Sequence, residues 1–401
     1  MRMLLLTAGS RGDVEPFVAL AHEALRRGHE VRLGLPENSG VDLTGLDAES
    51  LGVDYSALVD RQGVSPLAAL RTLRTTVRPL MQTLLVTAVQ QSLAFAPDVV
   101  VHHPKVLSAA LPAERLGVPR VVAEITPALT PTRAFPAPGV VDVDLGPLNR
   151  ATYGAAAASA RMFADELAVA RRAAGLPAGR RTGPPQLTLV PISPHLLPRP
   201  TDWPPAVHLT GAWQQKRTEA LAPEVAAFLG RSRFLYAGFG SMAAGDPERR
   251  AATVVAAARA RGLAVLLATG WGGLAVPPSL QGEDVLVVRG VPHAQVLPHA
   301  EVAVHHGGAG TVHAAARAGA VAVVVPFLAD QPFWGRTLHR AGLGPAPIPQ
   351  RRLSPRRLGL ALDAVDDCRP ALRRTSSALR QEDGAGRACE LLENLVSGPG
   401  R

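Results

Sequence analysis

Residues 301–335 read Glu301-Val-Ala-Val-His-His-Gly-Gly-Ala-Gly-Thr311, an Ala-rich run to 318, Val321-Ala-Val-Val-Val325 and then Pro326-Phe-Leu-Ala-Asp330-Gln331. The order is buried strand, glycine turn, helix, second strand. Glycines at 307, 308 and 310 let the backbone approach a ligand with no Cβ between them. The N–H groups that open the next helix, Ala309 among them, carry about half a positive charge from the helix dipole, so phosphate is the expected guest. Thr311 adds a hydroxyl, and His305 a ring N–H at the carboxyl end of the strand. Asp330 and Gln331, a carboxylate and an amide at the end of the second strand, suit sugar hydroxyls. Alone, the glycines make a tight turn beside ordinary polar residues; the second strand with its Asp-Gln pair favours the ligand reading.

Working outward, the same alternation fills the chain. Residues 2–8 read as a strand, 9–13 as a loop, 14–27 as a helix with Val14, Phe17, Val18, Ala21 and Leu25 at helical spacing, and 30–35 as a strand. This βαβ opening predicts a doubly wound parallel sheet. Its glycine turn lacks the G-x-G-x-x-G spacing of a dinucleotide site, and Asp13 stands there as either a helix N-cap or a catalytic carboxylate, two compatible roles. A long helix over 65–94, kinked at Pro79, a strand at 98–101, a helix to about 117, a strand at 120–124 and a helix over 148–174 follow. His102, His103 and Lys105 line an acceptor pocket or a solvated loop. Asp142-Val-Asp144 lies in a loop after a Pro-rich stretch and reads as solvated, so no metal site is expected. After short strands near 187–191 and 206–209, the second half carries strands at 233–238, 263–268 and 285–288, a helix at 247–261, and closing helices at about 355–365 and 383–396. The expected division is 1–209, a linker over 210–222, a second domain over 223–380, and a last helix, 381–401.

The chain has 401 residues, 47% of them hydrophobic, enough for two cores. Net charge is +9, yet 40 of the 42 basic residues are Arg, dispersed along the chain, with lysine only at 105 and 216. A nucleic-acid partner is therefore not expected; the positive balance suits an anionic donor and leaves peripheral contact with lipid open. Two cysteines without metal spacing and no long apolar span point to a reduced, cytoplasmic chain, monomeric or homodimeric.

Taken in order, Gly9-Ser-Arg-Gly-Asp13-Val-Glu-Pro16, Thr130-Pro-Thr-Arg-Ala-Phe-Pro136, Thr210-Gly-Ala-Trp213, Tyr236-Ala-Gly-Phe-Gly-Ser241, the 305–311 turn and Asp330-Gln-Pro-Phe-Trp-Gly335 resemble the inverting nucleotide-sugar glycosyltransferases of the GT-B fold. The bacterial natural-product branch of vancomycin type and the sterol glucosyltransferases are the most similar. The resemblance implies two Rossmann-like domains facing across a cleft, with a lipophilic small-molecule acceptor on the first and a nucleotide sugar, UDP-glucose or a TDP-sugar, on the second. It implies Asp13 as general base, its pKa raised by partial burial, and no cofactor beyond the donor as co-substrate. Donor contacts fall to Ser241, Val291, His305, Gly307, Gly308, Ala309, Gly310, Thr311, Asp330 and Gln331. Acceptor contacts fall to Ser10, Arg11, Gly12, His103, Phe135 and Trp334. Plant members stack a Trp on the base where this chain has Gly290, and Trp271 is a candidate to compensate. A sugar-nucleotide epimerase and a non-catalytic nucleotide-sugar-binding auxiliary protein are the alternatives. Retention of Asp13 with the whole donor set argues against the auxiliary role.

Overall fold

Met3, Leu4, Leu5 and Leu6 are all fully buried in the first strand, β1 (Arg2–Leu6), alternate residues entering cores on opposite faces of one sheet. A strand covered on both faces belongs at the centre of a parallel sheet. The computed structural model, which describes residues 1–54, 73–179, 182–215, 220–230, 233–242 and 244–398, gives that sheet seven parallel strands. They are β1, β2 (Glu30–Glu37), β3 (Asp47–Asp54), β4 (Val99–His102), β5 (Arg120–Ala123), β6 (Leu187–Val190) and β7 (Val207–Leu209), in the order β3-β2-β1-β4-β5-β6-β7. The order reverses direction between β1 and β4, where Leu6 stands beside His102.

A second parallel sheet has the order β10-β9-β8-β11-β12, built from β8 (Phe234–Gly238), β9 (Ala264–Ala268), β10 (Val285–Val288), β11 (Val302–His305) and β12 (Val321–Val324). It reverses between β8 and β11, where Gly238 stands beside His305. The chain divides into two compact units. One comprises Met1–Pro194, Arg199–Lys216 and Asp383–Arg401; the other comprises His195–Pro198 and Arg217–Glu382.

Several expected elements change in detail. The first helix is Arg11–Arg26 with Ser10 as N-cap, so Asp13 is its third residue and not its cap. The edge strand β3 escaped the pattern reading because only Leu51 and Val53 are buried in an otherwise polar stretch. The expected 65–94 helix lies outside the described residues up to 72. Beyond that, a π turn at Leu73–Val77 precedes helix Arg78–Phe95, whose second position is Pro79, so the proline starts a helix and kinks none. The 148–174 helix is two, Asn149–Arg161 and Ala164–Ala173. Helix Val365–Gln381 was missed, its Pro370 masking the inward stripe Val365, Cys368, Leu372, Leu379.

The last helix, Gly384–Ser397, belongs to the first unit. Leu392, Cys389 and Ala388 are fully buried with Phe17 and Leu20 of helix Arg11–Arg26. Glu393 joins Arg27 at 3.2 Å and His29 at 2.8 Å. Gly384 is obligatory here, since a Cβ would meet the carbonyl oxygens of Gly211 and Ala212 within 2.5 Å. Leu392→Ala should therefore cost the first unit roughly 2–5 kcal/mol, read as a lower urea midpoint of that unit's transition.

Candidate active site

Asp13 is held by four donors. Its Oδ2 accepts from the Ser10 backbone N–H at 2.7 Å and the Ser10 hydroxyl at 3.1 Å, the backward reach of a carboxylate at the third helical position. Its Oδ1 lies 2.9 Å from Lys105 Nζ and 3.3 Å from His103 Nε2, on the segment after β4. Gly9, at φ +127°, makes room for this cluster: a Cβ there would stand 2.2 Å from Asp13 Oδ2 and 2.6 Å from Lys105 Nζ. Burial acts to raise the Asp13 pKa, but the Lys105 charge and the His103 contact outweigh it, holding the carboxyl well below the usual carboxylate range. The expected upward shift is thus corrected by a cation expected in an acceptor pocket or a solvated loop.

The other residues expected at the acceptor separate. His103 is buried, accepts the Lys105 backbone N–H at its Nδ1, and so presents Nε2–H to Asp13. It fixes the carboxylate. His102 is also buried, between the His103 carbonyl and Arg120, and burial pulls its pKa down to about 3. Arg11 is exposed and paired with Glu15, and Gly12 is exposed on the same turn. Phe135 is buried against Trp203, a core residue of its loop. Trp334 lies fully buried in the second unit, between Phe333 and His313, donating Nε1–H to Asp330 at 3.0 Å. Both aromatics are buried against neighbouring rings. Asp144 accepts from Gly146 and Asn149 in its exposed loop.

Most of the residues expected to hold the donor lie on turns at the switch point of the second sheet, where β8 and β11 end side by side and α/β folds present ligands. Helix Ala309–Ala318 follows β11 with Gly308 as N-cap and no side-chain cap, so its first N–H groups meet no protein acceptor among the described residues. Gly307, at φ +93°, is forced: a Cβ would stand 2.6 Å from Val324 Cγ1. Gly310 is not, since nothing lies within 4 Å of a Cβ built there. His305 is fully buried and accepts the Gly307 N–H at Nδ1, so its proton sits on Nε2, which has no partner among the described residues. Burial drives its pKa well down and keeps the ring neutral. His306, which the sequence reading left out, packs against both glycine turns, its Cε1 3.6 Å from a Cβ built at Gly240 and its Nε2 2.6 Å from one built at Gly308.

Around this turn, exposed Ser241 follows Gly240. Val291 follows Gly290, which faces open space. Trp271 is 60% exposed, beneath the Arg289 guanidinium at 4.8 Å, and its backbone N–H donates to the Gly240 carbonyl. Buried Arg250 was also missed: it donates to the carbonyls of Met242, Ala244 and Gly273 and lies 4.7 Å over Phe327, tying three loops together. Asp330 follows Ala329, whose φ of +56° is a strained conformation for a residue with a Cβ. Gln331 differs from expectation. Its Oε1 accepts from Phe327 N and Leu328 N, and its Nε2 donates to the Met242 sulfur, so it clamps its own loop.

Comparison with known proteins accords with this geometry. Residues 3–136 match the glycosyltransferase family 28 N-terminal domain, and 276–396 match the erythromycin biosynthesis protein CIII-like C-terminal domain. The chain is 34% identical to O-mycaminosyltylonolide 6-deoxyallosyltransferase of Streptomyces fradiae, covering 98% of this chain and 97% of that protein. It is 32% identical to vancomycin aglycone glucosyltransferase of Amycolatopsis orientalis, covering 99% and 98%. A sterol 3-beta-glucosyltransferase of Arabidopsis thaliana is 29% identical over 99% of this chain, which spans 66% of that protein's length. Among solved structures, the glycotransferase of kitacinnamycin superposes with a TM-score of 0.72 at 20% identity over 98% of this chain and 99% of that one. The glycosyltransferase VinC in complex with DTDP superposes at 0.70, with 18% identity and full coverage of both. The second sheet's uncapped glycine turn and the first sheet's carboxylate thus sit in a chain that belongs to the GT-B glycosyltransferases, alongside the vancomycin, macrolide and sterol enzymes.

Proposed function

We propose that this enzyme moves a hexose from a nucleoside-diphosphate sugar to a hydroxyl of a lipophilic small molecule, with inversion at the anomeric carbon. The observation that carries this reading is the uncapped start of helix Ala309–Ala318, with open space over Gly310. Unmet N–H groups and the helix dipole offer a diphosphate what water would otherwise supply.

In this reading the amides of Ala309, Gly310 and Thr311 hold the diphosphate, and the neutral His305 ring and Ser241 hydroxyl add hydrogen bonds. Charge develops on the diphosphate as the glycosidic bond breaks, and prearranged donors stabilise it more than they stabilise the bound donor. Asp330, steadied by Trp334, orients sugar hydroxyls. Asp13 accepts the acceptor's proton as its oxygen attacks the anomeric carbon from the opposite face. Ser10, Arg11 and Gly12, on the same exposed turn, are proposed to border the acceptor. VinC is solved in complex with DTDP, and the relatives include a glucosyltransferase and a 6-deoxyallosyltransferase, which favours testing both TDP- and UDP-sugars.

A panel of UDP-glucose and TDP-glucose against cholesterol, vancomycin aglycone, a macrolactone aglycone and 4-nitrophenol, read by mass, tests the reaction. A product whose mass exceeds the acceptor's by one anhydrohexose is expected; donor consumption without any glycosylated product would refute it. Asp13→Asn should lower turnover about 10²–10⁴-fold while calorimetry shows nucleoside-diphosphate affinity unchanged. Gly310→Ala should weaken that affinity roughly tenfold, while the melting temperature holds or rises because Ala is the better helix former. With the diphosphate's charge met by amides and neutral donors, EDTA treatment is expected to leave turnover unaltered, and a loss restored by a divalent cation would contradict this account.

A further inference from the structure

The geometry points to Lys105 as a releasable latch on Asp13: a positioning residue that occupies, on Oδ1, the place an acceptor hydroxyl takes. This rests on the reading of Asp13 as the base. A carboxylate has about four acceptor positions, and all four are filled, by Ser10 N, Ser10 Oγ, His103 Nε2 and Lys105 Nζ. An acceptor hydroxyl needs one of them.

Three of the four donors are poorly placed to leave. Ser10 N belongs to the N-cap of helix Arg11–Arg26. Ser10 Oγ sits on that same residue. His103 is buried, and its Nδ1 is committed to the Lys105 backbone N–H, which fixes the tautomer that donates to Asp13. Lys105 differs: its side chain is 49% exposed, and an ammonium on a flexible stem makes one point contact. In a chain with 40 arginines and two lysines, the cation at this place is not the one whose planar fork would grip the carboxylate in two places.

The chemistry follows from removing the charge at the right moment. His103 and Lys105 are the titratable groups facing the Asp13 carboxylate, while Arg11 and Glu15 pair with each other. With Lys105 in place, Asp13 is ionised and a weak base. When an acceptor hydroxyl displaces the ammonium, burial is opposed only by neutral donors, and the carboxylate's proton affinity rises as the hydroxyl's proton becomes available. The proton passes from the acceptor oxygen to Asp13 as that oxygen bonds to the anomeric carbon and the nucleoside diphosphate leaves with the bond's electron pair.

Carboxyl-¹³C-aspartate NMR titration of the full chain tests this, with the Asp13→Asn spectrum identifying the Asp13 signal. Wild type should stay ionised to the acid limit of the fold, Lys105→Met should raise the Asp13 midpoint by roughly one pH unit or more, and Lys105→Arg should follow wild type. A Lys105→Met signal that tracks wild type would overturn the assignment. In the panel above, Lys105→Arg should turn over at least tenfold more slowly, because the guanidinium stays in place; wild-type turnover would show that no release is needed. If Asp13→Asn itself turns over normally, the base reading fails and the latch with it. If Asp13→Asn is inactive but the Lys105→Met signal does not move, only the latch fails.

Discussion

The backbone pairing of β1 with β4, which sets Leu6 beside His102, decides what the first unit offers chemically. Parallel neighbours end at the same edge of a sheet, so the turn after β1 and the turn after β4 must emerge side by side. The first carries Ser10 and Asp13; the second carries His103 and Lys105. No local sequence feature joins these two segments, which lie about ninety residues apart in the chain. Pairing of two apolar strands does so, at a cost in cavity space that only Gly9 can meet.

The second sheet applies the same rule to the opposite charge. There, β8 and β11 bring the turn around Gly240 beside the turn around Gly308, with His306 packed against both. The groups at this turn carry no charge: helix amides, and histidines that burial keeps neutral, His305 with its pKa driven well down and His306 with its pKa pushed down to about 4. For the proposed diphosphate, neutral donors avoid the desolvation cost of a buried cation, and their charge state does not change across the physiological pH range.

The fold was legible in the sequence wherever burial was two-sided. Met3–Leu6, Val302–Val304 and Val321–Val324 are uninterrupted apolar runs ending in glycine or polar turns, and such runs mark central parallel strands. It was illegible at β3, an edge strand with one wet face, and at Val365–Gln381, where Pro370 interrupts a helical stripe. For the site, residue types and their order were readable, but directions were not. Trp334, Phe135 and Gln331 have the chemistry of contact residues, yet all three are buried, Trp334 and Gln331 bracing the 327–331 segment through hydrogen bonds and Phe135 packing on Trp203. Lys105 and His103 were visible as a cluster, but their target was not, since only tertiary pairing supplies it.

The pKa of Asp13 shows why such a target matters. From burial alone, a carboxylate in this place would be a stronger base than one in water; with Lys105 beside it, the order inverts. In the proposed mechanism both states are useful, at different times. A carboxylate left partly buried and unpaired in the resting enzyme would take up a proton or destabilise the turn that carries it. A carboxylate permanently paired would be too weak to draw a proton from an alcohol. Holding the charge with a half-exposed lysine satisfies the first constraint without imposing the second, and the buried, tautomer-locked His103 keeps the carboxylate oriented whichever partner occupies the remaining position.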